Sequence, residues 1–110
     1  MAEMKILGKI DSAEFGRIRD YPFLMGLILN FKFKDGGVGD GGRYTVNMGK
    51  ECKWETPSER RILIEERMDF IYNLLNEAKC NNVSQLKGKP VEVTLIDNCF
   101  HDFRILTEVL

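Results

Sequence analysis

Phe23-Leu24-Met25-Gly26-Leu27-Ile28-Leu29-Asn30-Phe31-Lys32-Phe33 is the stretch on which the fold turns. Phe23, Met25, Leu27, Leu29, Phe31 and Phe33 alternate without a gap, the period-two signature of a β-strand with one apolar face. The opposite face changes character along its length. Leu24, Gly26 and Ile28 give way to Asn30, Lys32 and Lys34. The first half therefore reads as buried on both faces and the second half as having one wet face. A strand of this kind belongs in the middle of a sheet.

Working back from it, Met4 to Phe15 reads as another strand, with Met4, Ile6 and Ile10 opposite Lys5, Lys9 and Asp11. Leu7 breaks the alternation, and Gly8 marks a bulge or a close approach of two backbones. Gly16 to Pro22 reads as a polar connection. Working forward, five glycines fall within Asp35–Gly42, and Arg43 to Met48 alternates as a third strand. Two strands joined by such a run suggest a β-hairpin with a long, mobile tip.

The helix that follows is framed by its ends. Thr56-Pro57-Ser58-Glu59 offers an N-cap, a proline at the first helical position and a capping-box glutamate. Ile64, Met68, Ile71, Leu75 and Ala78 then trace an apolar stripe, widened by Leu63, Phe70 and Leu74. Asn81-Asn82 supplies a stop, so the expected helix is roughly two dozen residues, about 35 Å long, packed across one sheet face. Val83–Leu86 suits a short helical turn. Val91–Ile96 reads as a fourth strand, Asp97-Asn98-Cys99 as a turn and Phe103–Val109 as a fifth strand. The order β-β-β-α-β-β is an α+β domain with a mainly antiparallel sheet of about five strands and one long helix.

The 110 residues suit a single domain, and a formal net charge of −1 argues against whole-molecule attraction to nucleic acid or acidic lipid. Neither a signal-peptide core nor an apolar run of membrane-spanning length is present, which points to the cytoplasm. Cys52, Cys80 and Cys99 are widely spaced and odd in number, a pattern of free thiols rather than of a disulfide framework. A zinc site would need them with His101, but structural zinc ligands come as closely spaced pairs and only Cys99 and His101 form one. No metal or cofactor is expected.

The glycine run has three readings. It is a flexible tip, an anion nest beside Arg43, or a calcium loop using Asp35 and Asp40. A phosphate loop leads into a helix N-terminus, whereas this run leads into a strand. His101 with Cys99 and Asp97 or Asp102 is the sole nucleophile–base combination in the sequence, against the plainer reading of a histidine at a turn. Arg17, Arg19, Lys32, Lys34 and Arg43, interleaved with Tyr21, Phe33 and Tyr44, suit stacked bases and phosphates. They equally suit the wet face of an edge hairpin. Trp54 is either a partner anchor or a staple on the helix start.

Leu86-Lys87-Gly88-Lys89-Pro90-Val91-Glu92-Val93-Thr94 and Phe103-Arg104-Ile105-Leu106-Thr107-Glu108-Val109-Leu110 resemble short proteins of tailed phages and prophages. Met4–Ile10, Ala13–Gly16 and Lys53-Trp54 are similar to that group too. The resemblance lies outside Gly16–Gly42 and implies no catalytic residues. It implies a phage-encoded, non-enzymatic binding protein in the host bacterial cytoplasm. Such a protein would counter a bacterial defence by stoichiometric capture of a nucleotide second messenger or a protein effector. The alternative is a nucleic-acid-binding accessory protein of phage replication. The expected contact residues are Arg17, Arg19, Tyr21, Asp35, Gly37, Asp40, Arg43, Tyr44 and Trp54. A free hairpin edge also suits a homodimer.

Overall fold

The computed structural model describes residues 2–49 and 57–110. The expected helix cap at Thr56 and the expected anchor Trp54 lie outside them. The class is as expected: an α+β domain with an antiparallel sheet and one long helix. Six strands are present among the described residues: β1 (Glu3–Ile18), β2 (Tyr21–Phe33), β3 (Gly36–Gly39), β4 (Thr45–Asn47), β5 (Pro90–Ile96) and β6 (Cys99–Ile105). Their order is β3-β2-β1-β5-β6, with β4 also paired to β2, so β2 holds the predicted interior position.

The long β1 organises the sheet by serving two partners in turn. Glu3–Lys9 pairs with β5, and Lys9–Ile18 pairs with β2. A register shift between Ile10 and Ser12 leaves Asp11 as an extra residue, a bulge that bends the strand where it changes partner. Gly8 is the close approach rather than the bulge, because a side chain there would run into the Lys32 carbonyl. Bending curls the sheet until its two ends, β3 and β6, come into contact. Phe31 of β2 stacks on Phe100 of β6 at 5.3 Å and tilts against Phe103 at 5.0 Å, across the inside of the curl.

Ile10, Leu27, Leu29, Val91 and Val93 are essentially inaccessible in that interior. Each fully buried aliphatic side chain contributes about 1.5–3 kcal/mol relative to exposure. Leu86, in the short 3-10 helix Val83–Leu86, is equally buried and belongs to the same core. The chain beyond it is tied back to β1 by Gly88 N–H to the Ile10 carbonyl (2.7 Å) and Ile10 N–H to the Lys89 carbonyl (3.0 Å).

Several local expectations are corrected. Gly16 to Pro22 is not an open connection: β1 runs to Ile18, and only Arg19 and Asp20 form the turn before β2. Alternation failed to show this because Gly16 and Arg17 carry no apolar signal. The final strand is Cys99–Ile105 rather than Phe103–Val109, since Asp97 (φ 52°) and Asn98 (φ 66°) complete a two-residue turn by themselves. Thr107–Val109 is a 3-10 turn.

Helix α1 (Pro57–Glu77) is shorter than expected. It ends on Lys79, at φ 55°, not on Asn81-Asn82. Cys80 N–H donates to the Leu75 carbonyl (3.1 Å) and Lys79 N–H to that of Asn76 (3.2 Å), the paired bonds of a Schellman stop. Only its second half is sealed against the sheet. Ile71, Leu74 and Ala78 are buried, whereas Ile64 and Met68 of the expected core stripe are exposed.

Candidate functional site

The glycine run is not a mobile tip. Lys34-Asp35 makes the turn, Gly36–Gly39 pairs with Asn30–Phe33 as β3, and Asp40–Tyr44 forms a tight excursion before β4 resumes pairing with β2 at Leu24–Gly26. Gly37, Gly41 and Gly42 each have a local cause. A Cβ at Gly37 would sit 2.5 Å from the Phe31 carbonyl oxygen, and Gly41 and Gly42 adopt φ of 66° and 77°. Asp40 pins the excursion. Only 6% exposed, it accepts the Leu29 N–H (2.9 Å) and the Gly42 N–H (3.0 Å). Burial pushes its carboxyl above the ordinary value, opposed by those two hydrogen bonds.

This arrangement leaves a groove along the outer face of β2. Ile18 and Tyr21 at the β1–β2 turn, Leu24, Ile28 and Asn30 along β2, and the glycine-rich segment Gly39–Gly42 with Asp40 enclose about 400 Å³. Asn30 Nδ2 donates to Ser12 Oγ (2.9 Å) across its floor. Farther along the same face, Lys32 lies directly between Lys9 of β1 and Gly37 of β3. Lys34 joins them around a shallow recess of about 340 Å³. All three lysines are exposed, and none is in an ion pair among the described residues. Like charges directly opposite each other across an antiparallel pair are destabilising, so Lys9 and Lys32 carry a cost that an anion would relieve.

The expected contact residues do not form one cluster. Tyr21 lines the groove and meets Phe23 edge-on at 6.2 Å. Arg19 is exposed in the adjoining turn, but Arg17 is paired with Met25 and shares that residue's face, the one turned away from the groove. Asp35 is exposed in the β2–β3 turn, Gly37 belongs to the β3 wall, and Asp40 is a structural acceptor. Arg43 lies beyond the glycine ridge, its guanidinium 6.0 Å over the Phe100 ring, in an open cleft shared with Gly39, Gly41 and Asn98.

Tyr44 is not available to stack on a ligand. It is 7% exposed and stacked on Phe70 at 4.5 Å, and burial, then Asp102, raises its hydroxyl well above the usual tyrosine value. That hydroxyl has no hydrogen-bond partner among the described residues. Sequence alternation put Tyr44 on a strand face but not on which side of the helix that face would lie.

Lys9, Ser12, Leu24, Ile28 and Asn30 were not on the expected contact surface. For Leu24, Ile28 and Asn30 the signal lies in the sequence, as the switch from apolar to polar along the outer face of β2, whereas Lys9 and Ser12 join them only through the register of β1 on β2. Cys99 and His101 are both exposed, and the Asp102 carboxylate accepts its neighbour's N–H (Phe103, 2.8 Å). Among the described residues, no three His, Cys, Asp or Glu side chains converge as a metal ion requires. No helix among them is long and apolar enough to cross a membrane. Compared with known proteins, the chain matches no family model, no curated protein and no solved structure.

Proposed function

We propose that this chain is a non-enzymatic protein that binds single-stranded nucleic acid along the outer face of β2, as an accessory to phage replication. The observation that carries the reading is the groove itself. On one sheet face it combines an aromatic and aliphatic half (Tyr21, Leu24, Ile28) with a three-lysine half (Lys9, Lys32, Lys34), beside a glycine-rich wall. Bases stack on the first, phosphates meet the second, and a glycine wall lets a polymer backbone approach closely. Arg19 extends the cationic surface at the turn.

Connectivity supports the same reading by analogy. A long first strand shared by both halves, a split third strand, a helix and a closing hairpin is the layout of OB-type barrels. Their second and third strands carry oligonucleotides. The resemblance of both ends of the chain to short phage proteins favours the replication setting. A net charge of −1 is compatible with it, because the basic residues are local to one face.

Fluorescence anisotropy with a labelled oligothymidylate tests the reading. Binding should weaken with salt at a slope of about −0.7 per phosphate contact, so each of Lys9, Lys32 and Lys34 changed to Gln should flatten it by about that amount. A duplex of the same length should bind more weakly. Absence of binding at low salt, or a slope untouched by the triple variant, would reject it.

A second reading, capture of a nucleotide second messenger of bacterial defence, draws on Arg43 over Phe100, a cation and a ring in one cleft. Calorimetry with cyclic nucleotides separates the two: heat lost in Arg43→Ala but kept in the triple lysine variant would favour the smaller ligand.

A further inference from the structure

On the opposite side of the β1–β2 arm from the nucleic-acid groove, Phe15, Met25, Met48, Ile64 and Met68 face one another across a gap of about 180 Å³ under the first half of α1. All five are large and apolar, and between 38% and 56% exposed. Monomers rarely leave a contiguous cluster of this kind open to water. Arg67 reaches into the same gap, and its Nε is buried there with no hydrogen-bond partner among the described residues. A guanidinium N–H taken out of water and left unpaired costs free energy unless something outside the chain supplies an acceptor.

We propose that a second copy of this chain fills the groove, forming a two-fold symmetric dimer across the first half of α1. The surface is self-complementary in the way an isologous contact requires. Ile64 and Met68 supply apolar knobs next to the groove that would receive their counterparts. Glu65 and Asp69, exposed on the same helix beside Met68, supply carboxylates for the partner's Arg67.

The area agrees. The chain exposes 7700 Å², whereas a compact monomer of its 12.7 kDa is expected to expose about 6,200 Å². The excess, about 1,500 Å², exceeds the ~800 Å² per partner of a standard interface. The radius of gyration, 14.7 Å, is likewise above the ~13 Å of a compact domain of this length. A gap the size of one large side chain favours a methionine knob over a long acyl chain or an entire peptide helix.

Sedimentation equilibrium on the full chain tests this. The wild type should be a concentration-dependent dimer. Met68→Glu, at a site exposed in the single chain, should be a monomer with an unchanged far-UV spectrum. Met25→Lys reads the same contact from the facing strand if Met68→Glu does not fold. Ile62→Glu, exposed on the same helix but outside the groove, should remain dimeric. Arg67→Glu should abolish the dimer, and mixing it with Glu65→Arg/Asp69→Arg should restore a heterodimer. A wild type that stays monomeric as concentration rises, or a dimer that Met68→Glu and Met25→Lys leave intact, overturns the proposal. A monomer whose groove takes up an acidic amphipathic peptide overturns it too.

Discussion

The two ends of β2 carry the same apolar alternation and meet opposite fates. Leu27 and Leu29 are wholly buried and Phe31 is 2% exposed, while Phe23 and Met25, on the same face, are 45% and 41% exposed. Nothing in the residue types separates them. What differs is what stands opposite. The curl of β1 gathers β5, β6 and the second half of α1 with Leu27, Leu29 and Phe31 into one core cluster, which does not include Phe23 or Met25. Alternation thus encodes which face of a strand is apolar, but not whether the strand's own chain will cover it. In the half of β2 that reads as doubly buried, Phe23 and Met25 are exposed on one face and Leu24 and Ile28 are only partly covered on the other. The partly covered face is the proposed nucleic-acid groove and the exposed one the proposed dimer contact.

The sharpest way to break this comparison is to truncate matched side chains at its two ends. Phe31→Ala removes a ring stacked on Phe100 and tilted on Phe103 and should cost about 3–5 kcal/mol. Phe23→Ala should cost below about 1 kcal/mol in the isolated chain, because a side chain already half in water loses little burial. Urea unfolding of both variants at low protein concentration checks the pair. Equal losses would mean that this end of β2 is packed as tightly as the core end.

A smaller effect is expected at the wall. Gly37→Val forces a Cβ against the Phe31 carbonyl and should cost about 1–3 kcal/mol, the range of overpacked cores. Gly36→Ala, with open space around it, should be near neutral. The same contrast tests whether β3 is a folded strand, since a mobile tip would tolerate both changes alike.

Asp40 gives the next step down. Asn can offer one carbonyl oxygen where two N–H groups need acceptors, so Asp40→Asn should cost on the order of 1–2 kcal/mol. The pH dependence has a definite sign. Because the folded carboxyl titrates above the ordinary 3.8, the native state holds that proton more tightly than the unfolded chain does. Stability due to Asp40 therefore rises as pH falls from the raised value towards the ordinary one, and is level above that window. The deficit of Asp40→Asn relative to wild type should widen across the same interval in denaturation curves taken at stepped pH.

The legible part of the fold was the part written in periodicity. The alternation of β2 and of Val91–Ile96 specified strands, and the helix stripe specified α1, because side-chain spacing and backbone geometry share a period. The glycine run was misread for a physical reason. Glycine signals conformational freedom and close packing with the same letter, and only the partner atom, here the Phe31 carbonyl, distinguishes them. Lys79 hid the helix stop because its left-handed conformation is imposed by the Leu75 and Asn76 carbonyls rather than by residue type. The lysine cluster was half legible. Lys32 and Lys34 stood out as the wet end of β2, but Lys9 joins them only through a ladder register that no local pattern specifies.

That register supplies the smallest and most discriminating test. Lys9 and Lys32 are directly opposed and exposed, so Lys9→Glu replaces a repulsive cross-strand pair by an attractive one. Stability should increase by about 0.2–1 kcal/mol, the range of such pairs. Binding to single strands should weaken in the same variant, since one phosphate contact becomes a repulsion. A residue selected only to keep a surface wet has no reason to make the two measurements move in opposite directions. If Lys9→Glu instead lowers stability or leaves oligothymidylate affinity unchanged, the lysine half of β2 is an ordinary solvated face. The comparison between the two ends of the strand would then rest on burial alone.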